Sequence, residues 1–214
     1  MRKPFSIVSE VSTLVKEAGI KKSTWETFEK TLNNIKKHHR STYFHCLRVG
    51  YYSYGIAKKE KWKDAKFPLF GGCGHDYGKC AVSTLLLDSK GLTKKEFEKI
   101  KKHTTVGFAR LKGTFLFTSF IAVLHHKYKE KGYGIDLEES APKFLKAAHK
   151  EKIKDTAELV MIADFFDALT TRNNDKGLIK NTLDTKEIRK VMKQFFPKSI
   201  ARINWLIKHK ISVA

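Results

Sequence analysis

Apolar residues recur along this chain at intervals of three and four, the period of helices with one buried face. Residues 5–18 carry Phe5, Val8, Val11, Leu14 and Val15 in such a stripe. Trp25, Phe28, Leu32 and Ile35 share one face of a second predicted helix, with Ser23 or Thr24 as its cap. A third is predicted over 42–58, where Tyr43, Leu47, Tyr51 and Tyr54 stand at helical spacing, and a fourth over 63–75, running into Gly71-Gly72-Cys73-Gly74. Thr93-Lys94-Lys95-Glu96 has the form of a capping box and opens another helix. Further helices are predicted over 104–111, 117–127, 142–150, 153–172, 185–194 and 197–209. The one short strand-like stretch runs from Ala81 to Leu87, and no internal repeat stands out. The expectation is an all-α bundle over residues 38–214 with a helical extension over 1–37. Residues 128–140 form a long, basic, glycine-bearing loop, and long loops in small domains are often functional.

A length of 214 residues with 41% hydrophobic and 30% charged content supports a core without disulfides and excludes wholesale disorder. Net charge is +21, from 43 basic and 22 acidic residues, and 36 of the basic residues are lysine. Such a field draws anions. Lysine is a point charge without arginine's bidentate fork, so the composition suits general attraction to phosphate, nucleic acid included, better than base reading. A solvated surface with no partner explains the charge equally well. The three cysteines, Cys46, Cys73 and Cys80, form no CxxC, which argues against a disulfide framework or zinc ribbon and for a reducing compartment. Met1-Arg2-Lys3 is followed by Glu10 and Lys16 before any long apolar run, unlike a signal peptide. No run approaches the roughly 18 apolar residues of a membrane span. A cytoplasmic protein is expected.

Chemistry enters through the order of the histidines and aspartates. His45 precedes His75-Asp76 by 30 residues; His103 and His125-His126 follow, and Asp164 sits in the otherwise apolar stretch Leu159 to Phe166. A carboxylate drawn toward a core needs a cation, a metal or several donors. Taken singly, Asp164 has a plain reading as the partner of a lysine, with Asp167 three residues on and on the same face. Adjacent His125 and His126 point about 100° apart on a helix, so one core and one surface residue is the plain reading for them. Both can face one site if it straddles a helix end or holds two metals. Imidazole and carboxylate together suit iron, manganese, zinc or nickel, and six or seven such ligands exceed the needs of one ion. His38, His39, His149 and His209 lie in basic stretches and are expected on the surface, while Cys73 and Cys80 are expected to pack as small residues.

The ordered pieces are Thr42 to His45 with Leu47-Arg48-Val49, His75-Asp76-Tyr77-Gly78-Lys79, Leu85-Leu86, Gly91-Leu92-Thr93 with Glu96 and His103, His125-His126, Gly132-Tyr133, and Ala163 through Arg172. In them the chain resembles the HD superfamily of metal-dependent phosphohydrolases, in its HD-GYP branch. The resemblance implies an HD-domain helical bundle with a binuclear site. His45, His75, Asp76 and Asp164 would hold one metal, and Asp76 would bridge to a second held by His103, His125 and His126. The cofactors implied are two divalent transition metals, Fe or Mn ahead of Zn or Ni. Lys79 matches a lysine close to substrate phosphate, and Tyr133, Arg172 and Lys176 are further candidates for substrate binding. Branch members hydrolyse cyclic di-GMP or related cyclic dinucleotides.

This sequence departs from the branch pattern HHExxDGxGYP. Lys127 replaces the glutamate, the stretch is a residue short, and Gly134 replaces the proline. Ser41 stands where members with three metals carry glutamate, and Arg172-Asn173-Asn174 replaces the usual arginine-proline-tyrosine stretch. Two alternatives therefore stay open. One is a phosphohydrolase acting on another nucleotide or on single-stranded nucleic acid; the other is a non-catalytic nucleotide-binding module. Regulatory input would come from a partner that the sequence does not identify, or there is none.

Overall fold

Residues 6–127, 132–143, 145–171 and 184–211 are described by a computed structural model, and among them every regular element is helical. In chain order these are α1 (Ile7–Glu17), α2 (Lys22–His38), α3 (Arg40–Lys59), α4 (Lys66–Gly74), a 3-10 turn (Tyr77–Ala81), α5 (Thr84–Leu87), α6 (Lys94–Lys101), α7 (His103–Leu111), α8 (Leu116–Leu124), α9 (Leu137–Ser140), α10 (Ala147–Thr171), α11 (Thr185–Phe195) and α12 (Ile200–Lys208).

The bundle is built around α3, α4 and α10. Glycine permits the closest approach, since a Cβ on Gly72 would stand 2.7 Å from Gly50 Cα and 2.8 Å from Val49 O. Two helix backbones therefore cross with no side chain between them, and α3 and α4 present His45 and His75 to the same space. From Leu159 onward α10 has no exposed residue, with Leu159, Val160, Ile162, Ala163 and Phe166 buried among others, whereas its first half keeps an exposed face. A helical segment apolar around its circumference belongs at the centre of a bundle. α1 and α2 lie on α3, and their Val11, Val15, Phe28, Leu32 and Ile35 join the same continuous core. At the far end, α12 is tied to α3 where the Ile211 N–H donates to Tyr52 Oη at 2.9 Å. Among the described residues no helix is long and apolar enough to cross a membrane.

Several local expectations change. The strand-like stretch from Ala81 to Leu87 is instead the end of the 3-10 turn followed by the single helical turn α5. A strand needs a partner for its backbone groups, and the described residues offer none. α2 starts at Lys22 with Lys21 as its cap, two or three residues earlier than a cap at Ser23 or Thr24 would place it. The helices expected over 142–150 and 153–172 are joined in α10, which begins only at Ala147, because Lys150-Glu151-Lys152 interrupts the apolar period without containing a residue that breaks a helix. The capping box at Thr93 is present: Glu96 N–H donates to Thr93 Oγ1 at 3.2 Å and Thr93 N–H to Glu96 Oε2 at 2.9 Å.

Candidate metal centre

The ends of helices, more than their middles, make this site. His45 projects from α3, and His75 and Asp76 follow the last turn of α4. His103 opens α7, and Asp164 stands within α10. The helix expected over 117–127 stops at Leu124, so His125 and His126 lie just beyond its end. That early stop removes the divergence which a continuing helix would impose on neighbouring residues, and both rings face one cluster. The His125 and His126 ring centroids are 4.0 Å apart, and that of His103 is 5.4 Å from each. Gly78 allows the 3-10 turn to rest directly on the first turn of α7, where any Cβ would collide with the backbone of His103.

The seven sequence-predicted ligands come together. Ligand atoms of His45, His75 and Asp76 lie within 4.8 Å of one another, as do those of His103, His125 and His126, and those of His75, His125 and Asp164. Asp76 is fully buried and divides its oxygens between the two sides. Its Oδ2 stands 3.5 Å from His45 Nε2 and 3.4 Å from His75 Nε2; its Oδ1 stands 3.2 Å from His103 Nε2 and 3.8 Å from His125 Nε2. Asp164 Oδ1 is 3.0 Å from His45 Nε2 and 3.8 Å from His75 Nε2. Lys79 Nζ reaches Asp76 Oδ2 at 2.5 Å.

The ring nitrogens turned away from the cluster explain its orientation. Nδ1 of His75 lies 2.7 Å from Gly72 O, that of His103 2.7 Å from Ile100 O, and that of His125 2.9 Å from Ala122 O. A carbonyl can only accept, so each Nδ1 carries the proton and each Nε2 presents a lone pair inward, the arrangement of metal-ligating histidines. His45 differs, since its Nδ1–H donates to Asp167 Oδ2 at 2.7 Å. Asp167 also accepts from Arg48 Nε at 2.6 Å and Arg48 Nη2 at 2.9 Å, and it is fully buried. Sequence reasoning left Arg48 and Asp167 without a role. The signal was a matched spacing, with His45 and Arg48 three apart on one helix facing Asp164 and Asp167 three apart on another.

Among the described residues, His45 Nε2, His75 Nε2 and Asp76 Oδ1 are buried with no hydrogen-bond partner. Orphaned inward-facing acceptors at that density carry a cost that a divalent cation removes, and imidazole with carboxylate is a fitting donor set. Charge states agree. Burial raises the Asp76 carboxyl, but the Lys79 ammonium and His75 outweigh it and hold it well below the usual range. Burial raises Asp164 too, but His45 and His75 beside it outweigh burial and hold it well below the usual range. Burial drives His103 down to about 4 against the pull of Asp76, drives His126 down to about 3, and drives His125 well down. His75 alone among them is raised, because Asp76 overrides burial.

These shifts set a pH dependence for the metal-free protein. Below the ordinary histidine value of about 6.5 the unfolded chain takes up a proton at residue 103 that the folded chain refuses until about 4. Stability is therefore complete above the unfolded value and falls as pH drops through that window, by about 3 kcal/mol for His103 once pH 4 is reached. His126 adds in the same direction and His75 opposes. Urea midpoints of chelator-treated protein should fall steadily from pH 7 to pH 4.5, and His103→Gln should flatten that slope.

Other expected site residues are distributed as follows. Tyr133 is half-buried beside the cluster, its ring centroid 4.5 Å from that of His126 and its N–H donating to His126 O at 3.2 Å. Gly134 has φ +123°, and a Cβ there would collide with Val123 O. Proline, fixed near −65°, cannot take that conformation, so this loop follows its own backbone path. Lys127 points to Asp136, at 3.1 Å, and Ser41 is exposed. Arg172 and Lys176 lie outside the described residues, as do 128–131 of the basic loop. Of the four histidines expected on the surface, His149 is exposed. His38 bonds Val82 O at 2.8 Å, His39 caps α3 and meets Asp88 at 2.9 Å, and His209 stacks on Trp205, so these three are half-buried. Basic neighbours in the sequence concealed partners that lie far along the chain or one turn back.

The family model described as HD domain matches residues 42–170. A cyclic di-GMP phosphodiesterase of Thermotoga maritima is 32% identical over 144 residues, covering 64% of this chain and 36% of that protein. The chain thus spans about a third of the length of that curated relative. The crystal structure of the L. monocytogenes phosphodiesterase PgpH HD domain aligns with TM-score 0.58 at 16% identity, covering 83% of this chain and 93% of that one. The same domain in complex with cyclic-di-AMP aligns with TM-score 0.55 at 15% identity, covering 84% and 92%. At such identities these two structures establish likeness of fold.

Proposed function

The chain belongs to the HD domain family, and on that premise we propose that it is a metal-dependent phosphodiesterase hydrolysing a cyclic dinucleotide, cyclic di-GMP or a relative. The observation that carries this reading is the buried ring of inward-facing imidazole nitrogens and carboxylate oxygens with orphaned acceptors. The Thermotoga maritima relative supports the substrate class. Within the family we place the chain near the HD-GYP branch, with a loop of its own. We read residues 38–214 as the domain and 1–37 as a helical extension.

His45, His75, Asp76 and Asp164 would hold one divalent metal and His103, His125 and His126 the other, with Asp76 shared; iron or manganese suits this N,O donor set, with zinc or nickel as alternatives. Bound there, such ions would neutralise phosphate charge and make water acidic enough to serve as nucleophile near neutral pH. The protein's own contribution is preorganisation. Backbone carbonyls fix three imidazoles, and the Arg48–Asp167 pair fixes the fourth. Asp76, kept ionised, offers one oxygen to each side. Lys79 holds a cation against that carboxylate, where it can meet a phosphoryl oxygen as negative charge develops. Tyr133 lines the rim, and Arg172 and Lys176 follow α10 in the chain as further phosphate contacts.

Metal analysis of protein prepared anaerobically in metal-replete medium should find about two transition metals per chain, followed by hydrolysis of cyclic di-GMP and cyclic di-AMP ahead of linear dinucleotides. Metal-free protein from that preparation would defeat the reading. Lys79→Ala should keep its metals and slow turnover roughly 10–1000-fold, the range for loss of one charge-stabilising group. Loss of metal together with activity would make Lys79 structural. The net charge of +21 favours one alternative, a longer polyanion as substrate. A rate falling steeply with salt would support it, since each phosphate contact releases a counterion.

A further inference from the structure

Two ammonium groups approach the cluster from different depths. Lys79, 12% exposed, is held by Asp76 at its centre. Lys101, 29% exposed, closes α6 two residues before His103 and stands at the rim. Its Nζ lies 5.1 Å from the centroid of the Phe97 ring and 5.6 Å from that of Tyr133. Phe97 and Tyr133 meet edge to face at 6.2 Å, and Tyr133 in turn lies 4.5 Å from His126 and 6.2 Å from His103. From the imidazoles outward the wall of the site therefore reads His126, Tyr133, then an ammonium over both Tyr133 and Phe97. Aromatic rings beside a cation are the combination that seats a base next to its phosphate.

Among the described residues Lys101 pairs with Glu98 at 2.7 Å, whose carboxylate is 53% exposed. Exposed pairs three residues apart on a helix contribute little and are readily exchanged for a more highly charged ligand. A diester with a single phosphate, seated at the cluster beside Lys79, has nothing to offer Lys101. A dinucleotide carries a second phosphate and reaches farther.

We propose that Lys101 contacts the second phosphate of a dinucleotide substrate, with Phe97 and Tyr133 forming the apolar seat for the adjoining base. This rests on the phosphodiesterase reading and narrows its substrate to compounds with two phosphates. The test compares metal-loaded wild type, Lys101→Ala and Lys101→Arg on cyclic di-GMP, cyclic di-AMP and bis(p-nitrophenyl) phosphate, with metal content and calorimetric dinucleotide affinity measured alongside. Lys101→Ala should raise KM and weaken binding for a cyclic dinucleotide by roughly tenfold more than it affects the single-phosphate diester, the size of one charge-assisted hydrogen bond. Lys101→Arg should recover most of that loss. Equal losses on both substrate classes would make Lys101 a support for His103, and unchanged dinucleotide affinity would remove it from the site; either overturns the inference while leaving the phosphodiesterase reading intact. If wild type cleaves neither substrate class, that broader reading fails, and the affinity ratio still decides whether Lys101 meets a second phosphate.

Discussion

Asp76→Ala should leave a folded protein that retains no tightly held metal and turns over more than about 10³-fold slower than wild type, a larger loss than one charge-stabilising donor accounts for. The expectation follows from what Asp76 touches. Its side chain faces His45, His75, His103 and His125 through two different oxygens, so removing it withdraws a donor from both halves of the cluster at once. Asp164 is a poor substitute among the described residues, because its Oδ1 stands 3.0 Å from His45 Nε2 and 3.8 Å from His75 Nε2, on the side away from His103. The substitution also strips Lys79 of its counterion, and an ammonium near the cluster then opposes binding of a cation. Elemental analysis after dialysis, paired with the hydrolysis assay, reads both effects. His75→Ala, which removes one ligand and leaves the shared carboxylate, should lose tight binding by a smaller margin. A protein that kept two metals without Asp76 would require a different bridging ligand.

Much of this site is legible in the sequence because its parts are local. His75 and Asp76 are adjacent, His125 and His126 are adjacent, and Asp164 is conspicuous in an apolar run. The Thr93 capping box is legible for the same reason, since both of its hydrogen bonds close within four residues. What escaped depends on distance along the chain. Arg48 and Asp167 meet across 119 residues and His45 and Asp167 across 122, and neither pairing leaves a mark on any single stretch. The end of α8 escaped as well. Nothing in the apolar run through Leu124 announces a stop, yet stopping there is what lets both His125 and His126 face inward. The strand-like stretch after Ala81 shows the opposite error, local preference given weight where the described residues supply no partner strand. Gly134 was visible as a departure from a family pattern, but only its positive φ explains why proline is excluded there.

Asp167→Asn should cost about 3–5 kcal/mol of folding stability, as expected when one partner of a buried ion pair is removed. Metal affinity should fall roughly 10–100-fold, as expected when a metal-ligating histidine loses the group that orients it. The carboxylate accepts from three N–H donors, His45 Nδ1, Arg48 Nε and Arg48 Nη2, from a position with no exposure to solvent. An amide keeps one acceptor oxygen and sets its own N–H groups against one of those donors, so at least one hydrogen bond becomes a repulsion. The two losses have different origins, and a second variant separates them. Arg48→Met combined with Asp167→Leu removes the buried charge and fills the space with apolar atoms, a replacement that is often neutral or better for stability. The double variant should therefore recover most of the urea midpoint lost by Asp167→Asn. It should not recover metal affinity, because His45 Nδ1 still lacks an acceptor and its ring is free to turn Nε2 away from Asp76 and Asp164. Recovery of both properties together would mean that Asp167 serves the fold alone and that His45 is oriented by packing.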